Sequence, residues 1–218
     1  MFIGHFGVGF AAKKVAPKPS LATFFFASQF IDLLWPILLL LGIEHVEIDP
    51  GNTVVTPLNF IDYPFSHSLV GVLFWGIIVG GIYYALKQDK RNAIVVGLLV
   101  LSHWILDLFV HRPDLLLVPG GATHVGFGIW NSMIGTLLLE GLIFGGGLFY
   151  YLKVTRAKNK VGSWSLWSLV VFLVAIYLSN VFGPPPPNVD VIPYMGLAMW
   201  LLIPWAMWID RNRESVQQ

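Results

Sequence analysis

Six side chains able to hold a proton or a cation lie inside or beside stretches of sequence that are otherwise hydrocarbon: His5, Asp32, His67, His103, Asp107 and Glu140. An ionisable group at membrane depth costs about 2.5–3.5 kcal/mol on insertion scales, so such groups are rarely accidental. His103, Asp107 and His111 are spaced i, i+4, i+8, which places them within a wedge of roughly 80° on one helix. Ser132, Thr136 and Glu140 make a second polar stripe of the same kind. No Lys or Arg shares these stretches with Asp32, Asp107 and Glu140. Three carboxylates in one apolar layer repel or must hold protons, and a divalent cation supplies the missing positive charge. The chain has no cysteine, so thiolate and disulfide chemistry are excluded. A donor set of imidazole and carboxylate suits Zn, Mn or Fe.

The elements that position these residues are membrane spans. Of 218 residues, 56% are hydrophobic and 11% charged, with a mean hydropathy of +0.72. A soluble domain carries roughly a quarter charged residues, so the solvent for this surface is lipid. A net charge of +1, with its basic residues scattered through short loops, gives no reason to expect nucleic acid. Crossing a bilayer takes roughly 20 apolar residues. Runs near Leu21–Ile43, Phe65–Leu86, Ala93–Val110, Val125–Leu152, Trp164–Phe182 and Pro193–Ile209 meet that need, the last short and the fourth long. Met1–Ala12 is apolar but too short to span, and reads as a half-helix. Its small face of Gly4, Gly7 and Ala11 could tuck between larger helices. The expectation is an all-α polytopic bundle of about six transmembrane helices plus the half-helix, one integral membrane domain over residues 1–218. The apolar run after Lys13, Lys14 and Lys18 is longer than the roughly 7–15 residues of a signal h-region and reads as an uncleaved span.

With six spans, twelve of the thirteen basic residues fall on one side, and only Arg112 falls opposite. The positive-inside rule makes that side the cytoplasm, with both termini there. At 1.5 Å per residue from the cytoplasmic end, Asp32 lies at ~18 Å, His103 at ~15 Å, Asp107 at ~21 Å and Glu140 at ~18 Å. His5 reaches ~12 Å on the half-helix, and His67 falls about 10 Å further toward the outer face unless its span starts lower. Pro36, four residues after Asp32, frees the Asp32 carbonyl and is expected to kink the first span. The pairs Gly76/Gly80 and Gly141/Gly145 have the spacing of close helix packing.

Each of these residues also has a bland reading. His103 and Asp107 fit a hydrogen-bonded pair joining helices, and Asp32 a protonated structural acid or a proton relay. Glu140 fits a solitary buried acid as well as a ligand, His5 an interfacial residue, and His111 the outer boundary of its span.

Gly4-His5, Ile31-Asp32, Phe65-Ser66-His67-Ser68 and Ser102-His103-Trp104-Ile105-Leu106-Asp107, in that order, resemble the YdjM-like family of inner-membrane metal-dependent hydrolases. That resemblance covers about residues 1–150, leaving 151–218 as two accessory spans. It implies a remote relation to zinc-dependent phospholipase C and P1-type nucleases, and a metal site that activates water against a phosphoester. By position it implies His5, Asp32, His67, His103 and Asp107 as ligands. The family's Pro-Asp-x-Asp-His segment reads here as Gln29-Phe30-Ile31-Asp32-Leu33. Its His-Arg-x-x-Thr-His-Ser reads as Asp62-Tyr63-Pro64-Phe65-Ser66-His67-Ser68, with Asp62 in place of a ligand His and no equivalent of the Arg.

The functional expectation is a membrane-embedded hydrolase carrying zinc, or else Mn or Fe, with Asp32 or Glu140, if not a ligand, as general base. His111 and Arg112 would stand near the substrate at an outward mouth, and the substrate would be lipid-linked or another phosphoester. The rival readings are an ion-coupled permease using Asp32, His103 and Glu140 as a proton relay, and a membrane protein without catalysis.

Overall fold

The computed structural model describes residues 1–216. A short helix α1 (Ile3–Val15) is followed by α2 (Leu21–Ser28) and α3 (Phe30–Leu40), then a hairpin of β1 (His45–Ile48) and β2 (Leu58–Asp62). One turn of helix, α4 (Pro64–His67), leads into α5 (Leu69–Lys87) and α6 (Lys90–Val110). A two-residue pairing of β3 (Leu115–Leu116) with β4 (His124–Val125) closes the next loop. Then come α7 (Met133–Val154), β5 (Thr155–Ala157), α8 (Lys160–Phe182), α9 (Val191–Leu197), α10 (Leu202–Asn212) and β6 (Arg213–Ser215).

Among the described residues five segments are long and apolar enough to cross a membrane, and α2 with α3 makes a sixth if the bent pair is one span. A 3₁₀ turn joins α9 to α10 within the last of them. Polar residues set where helices begin. Ser20, Ser68, Asp89, Ser132 and Asn159 each accept a backbone N–H of the first turn of α2, α5, α6, α7 and α8, satisfying amides that have no intrahelical partner.

Three boundaries differ from the sequence reading. The first span bends by 53° at Gln29, whereas α3 runs on through Pro36, so Pro36 is not where the sharp turn lies. The second span starts at Leu69 because extended backbone at Ser68 separates α4 from α5. The fourth starts at Met133, Val125 being part of β4; Ser132 caps the helix and Thr136 Oγ1 donates to the Ile129 carbonyl, which uses up most of the expected polar stripe.

The basic segments meet at one end. Lys18 lies 3.4 Å from Asp89, and Arg91 donates to the Val15 carbonyl. β5 pairs with β6, with Arg156 bridging to Glu214 at 2.7 Å. Asp210 accepts the amides of Leu21 and Ala22, tying α10 to the start of α2.

The half-helix α1 packs most closely on α7 and next on α2. Phe6 and Phe10 are fully buried against Phe25 and Phe144. Gly7 and Gly147 let the two backbones touch: a Cβ on Gly147 would collide with the Gly7 carbonyl, and one on Gly7 would meet Ile143 O at 2.5 Å. Without a hydrophobic driving force in lipid, such close packing is what holds helices together. Gly76 and Gly80 serve the same purpose against α6. Gly141 and Gly145 do not, having no neighbour within 4 Å.

Candidate metal centre

His5 of α1, Asp32 of α3, His67 of α4, and His103 and Asp107 of α6 converge at the centre of the fold. Two trios have one donor atom from each residue within 4.8 Å of the others: His5, His103, Asp107 and Asp32, His67, His103. His5 Nε2 lies 3.1 Å from Asp107 Oδ1, and His103 Nε2 lies 3.2 Å from Asp107 Oδ2 and 3.4 Å from Asp32 Oδ1. His67 Nε2 faces Asp32 Oδ1 at 3.6 Å and Asp107 Oδ2 at 3.9 Å. The rings of His5 and His103 stack with centroids 3.7 Å apart.

Local structure explains the convergence. His103 and Asp107 sit one turn apart on α6, and the bend at Gln29 turns the first residues of α3 toward them. The Ser68 break frees α4 from the line of α5, so His67 joins the layer from which a straight helix would exclude it. Gly7 against Gly147 seats α1 deeply enough for His5 to arrive.

The tautomer of His103 follows from its surroundings. Nδ1 lies 2.9 Å from the Ser28 carbonyl, which can only accept, so Nδ1 carries a hydrogen, and in the neutral ring Nε2 then holds a lone pair. Although Nε2 is near two carboxylate oxygens, it has no hydrogen-bond partner among the described residues. A lone pair aimed at two carboxylates is repulsive unless a cation or proton stands between them. His5 Nδ1 is also buried without a partner. Four of the five side chains are at most 4% exposed, and Asp32 at 22% is the one with appreciable exposure.

The remaining expected residues have other placements. Glu140 accepts the amides of Phe2 at 2.8 Å and Gly4 at 3.3 Å; it caps the start of α1 and is in neither trio. Asp62 is about half exposed at the end of β2, 3.6 Å from His45, and does not join the trios. His111 Nδ1 is 3.0 Å from Asp114 Oδ1, which also accepts from the Tyr63 hydroxyl. Burial lowers the pKa of His111 from its ordinary value of 6.5, against the opposing hydrogen bond to Asp114. Arg112 donates to Asp114 Oδ2 and to Asn59 Oδ1, lining a polar depression of about 400 Å³ with His124. A larger groove of about 590 Å³ runs between α5 and α6, is apolar, and includes none of the site residues.

Sequence reading missed several partners. The Met1 amino group is 2.5 Å from Asp107 Oδ1. Glu44, 1% exposed, accepts the Ser66 hydroxyl, which contacts His67 Nδ1. Ser66 stood in the Ser-His-Ser motif, but Glu44 is brought in by a long-range contact that no local spacing announces.

Neither a curated protein nor a solved structure matches the chain. The family model described as YdjM inner membrane protein matches residues 1–183, beyond residue 150 and through α8. That match takes in all five converging side chains together with Glu44 and Ser66. The chain is a multi-pass inner-membrane protein and belongs to the YdjM inner membrane protein family.

Proposed function

We propose that the chain is a membrane-embedded, metal-dependent hydrolase. The observation that carries this reading is His103 Nε2, a buried nitrogen facing Asp32 and Asp107 without a hydrogen-bond partner among the described residues. His5, Asp32, His67, His103 and Asp107 would hold the cation. Imidazole and carboxylate donors without sulfur fit Zn, with Mn or Fe as alternatives. His103 has only one nitrogen to give, because Nδ1 is committed to Ser28. Both trios draw on His103, so they describe one cation shared among five side chains.

A bound divalent cation supplies Lewis acidity and lowers the pKa of a coordinated water toward 7. Around it, His103 and His67 present fixed nitrogens, while Asp107 places its two oxygens toward different imidazoles. Asp32 turns Oδ1 toward His67 and His103 and is the only member of the set with appreciable exposure, so Oδ1 would hold the cation while Oδ2 would take a proton from the attacking water. Glu140 is engaged with α1 and is left out of the chemistry. His111, whose ring is 6.5 Å from that of His67, and Arg112 are held by Asp114 and would stand near the substrate, for which a lipid-linked or other phosphoester is the class. Gathering of the basic loops at one end supports an orientation with both termini in the cytoplasm.

The test is cleavage of bis(p-nitrophenyl) phosphate and of a lipid phosphoester by purified protein with Zn or Mn. Cleavage that a chelator abolishes, that metal restores and that Asp32→Asn lacks supports the reading. In proteoliposomes, movement of an intact substrate without cleavage would overturn it in favour of a carrier.

A further inference from the structure

Glu44 lies between α3 and β1, directly before β1, and is 1% exposed. Its Oε1 accepts the amides of Phe65 and Ser66, each at 2.8 Å. Its Oε2 accepts the Ser66 hydroxyl at 2.6 Å. The same hydroxyl lies 2.7 Å from His67 Nδ1. A carboxylate has lone pairs only, and a serine hydroxyl has a single hydrogen. That hydrogen is committed to Glu44, so Ser66 Oγ must accept from His67, and Nδ1 carries the ring hydrogen. A neutral imidazole has one such hydrogen. Nε2 is then bare, and it is the atom facing Asp32 and Asp107. In the other tautomer the hydroxyl hydrogen would turn to Nδ1. Two oxygens 2.6 Å apart would then face each other with no hydrogen between them.

We propose that Glu44 and Ser66 are positioning residues that lock His67 in its Nδ1–H tautomer and reserve Nε2 as a donor toward Asp32 and Asp107. The lock itself stands on the hydrogen bonds alone; its purpose rests on the metal-centre reading. His103 reaches the same state by a different device, the Ser28 carbonyl. Two imidazoles on separate elements are thus set with the same nitrogen free, as metal-binding histidines are when their other N–H has a partner. The carboxylate is in turn anchored by two amides of α4, so the relay fixes ring rotation as well as tautomer. A purely structural Glu44, tying the post-α3 loop to α4, would not dictate which ring nitrogen carries the hydrogen.

The experiment uses full-length protein in detergent with ¹⁵N-labelled histidine rings, treated with chelator, with His67 assigned from the His67→Gln spectrum. The expected wild-type result is a protonated Nδ1 and a bare Nε2. Ser66→Ala should lose that preference, and Ser66→Thr, which retains the hydroxyl, should restore it. Zinc titration should show Ser66→Ala and Glu44→Gln binding about 10–100-fold more weakly than wild type, with Ser66→Thr near wild type. Hydrogen on Nε2 in the wild type, or an unchanged tautomer in Ser66→Ala, overturns the proposal. If Ser66→Ala does not fold, the wild-type spectrum and Glu44→Gln decide. The tautomer is read without metal, so a wild type that ignores zinc defeats the metal reading alone, whereas the wrong tautomer with tight zinc binding defeats the relay alone.

Discussion

Asp32 Oδ1 and His103 Nε2 meet 3.4 Å apart although they lie on different spans, and the bend at Gln29 is what allows it. A carbonyl in the last turn of a helix has no intrahelical partner. Ending α2 at Ser28 therefore exposes a carbonyl, and His103 Nδ1 takes it at 2.9 Å. The same break reorients α3 so that Asp32, in its first turn, faces the other nitrogen. One irregularity in the backbone thus sets both the tautomer of an imidazole and the position of the acid opposite it.

Gly147→Ala tests whether α1 is seated by contact between backbones. The added Cβ would strike the Gly7 carbonyl, so α1 must shift, at a cost of about 1–3 kcal/mol typical of overpacking. Thermal unfolding in detergent should fall accordingly, and zinc affinity should fall with it as His5 is displaced. Unchanged stability and affinity would show that α1 is not held there.

Glu140→Gln separates seating from chemistry. The amides of Phe2 and Gly4 share one carboxylate oxygen, and weakening buried acceptance of this kind costs about 1–3 kcal/mol. The variant should unfold at lower temperature while any hydrolytic pH profile keeps its wild-type shape. A pH profile that loses its acidic limb would make Glu140 the general base after all.

Asp62→Asn provides the contrast. Asp62 is about half exposed and lies 3.6 Å from His45, and surface changes of this kind fall within about 0.5 kcal/mol. Metal content and stability should match wild type. Loss of metal would place Asp62 in the centre.

How much of this was legible in the sequence depended on whether a residue's place follows from regular helix geometry. His103 and Asp107 were readable because a period of 3.6 stacks i and i+4 on one face. Asp32 and His5 were readable because rise per residue converts sequence distance into depth. His67 came out too shallow because counting along one straight helix ignores the break at Ser68. Glu140 has the right depth but the wrong neighbour, since the amides of α1 were not visible as donors. Pro36 was the obvious place for a kink, yet the turn falls at Gln29, where the Ser28 carbonyl finds His103 instead of a backbone amide.

The acid sensitivity of the outer loop should trace to His111. Burial lowers its pKa below 6.5, opposed by the hydrogen bond to Asp114 and the charges of Asp107 and Asp114. The folded state then binds fewer protons than the unfolded state, so stability rises with pH. The contribution is intact above about 6.5 and declines as pH falls below that value. Asp114, held below its ordinary 3.8 because His111, Tyr63 and Arg112 outweigh burial, loses its contribution only in more acidic solution. Unfolding temperatures between pH 8 and 5 should drop less in His111→Gln than in wild type; equal slopes would assign the sensitivity to another group.

The most direct measurement is the metal content of the purified, folded chain by elemental analysis, beside the His103→Ala, Asp107→Ala double variant. Five side chains sharing a single His103 nitrogen predict about one Zn, Mn or Fe per wild-type chain, and its loss from the double variant. A folded wild type that stays metal-free when offered these ions, or a double variant that retains the full complement, would contradict the account.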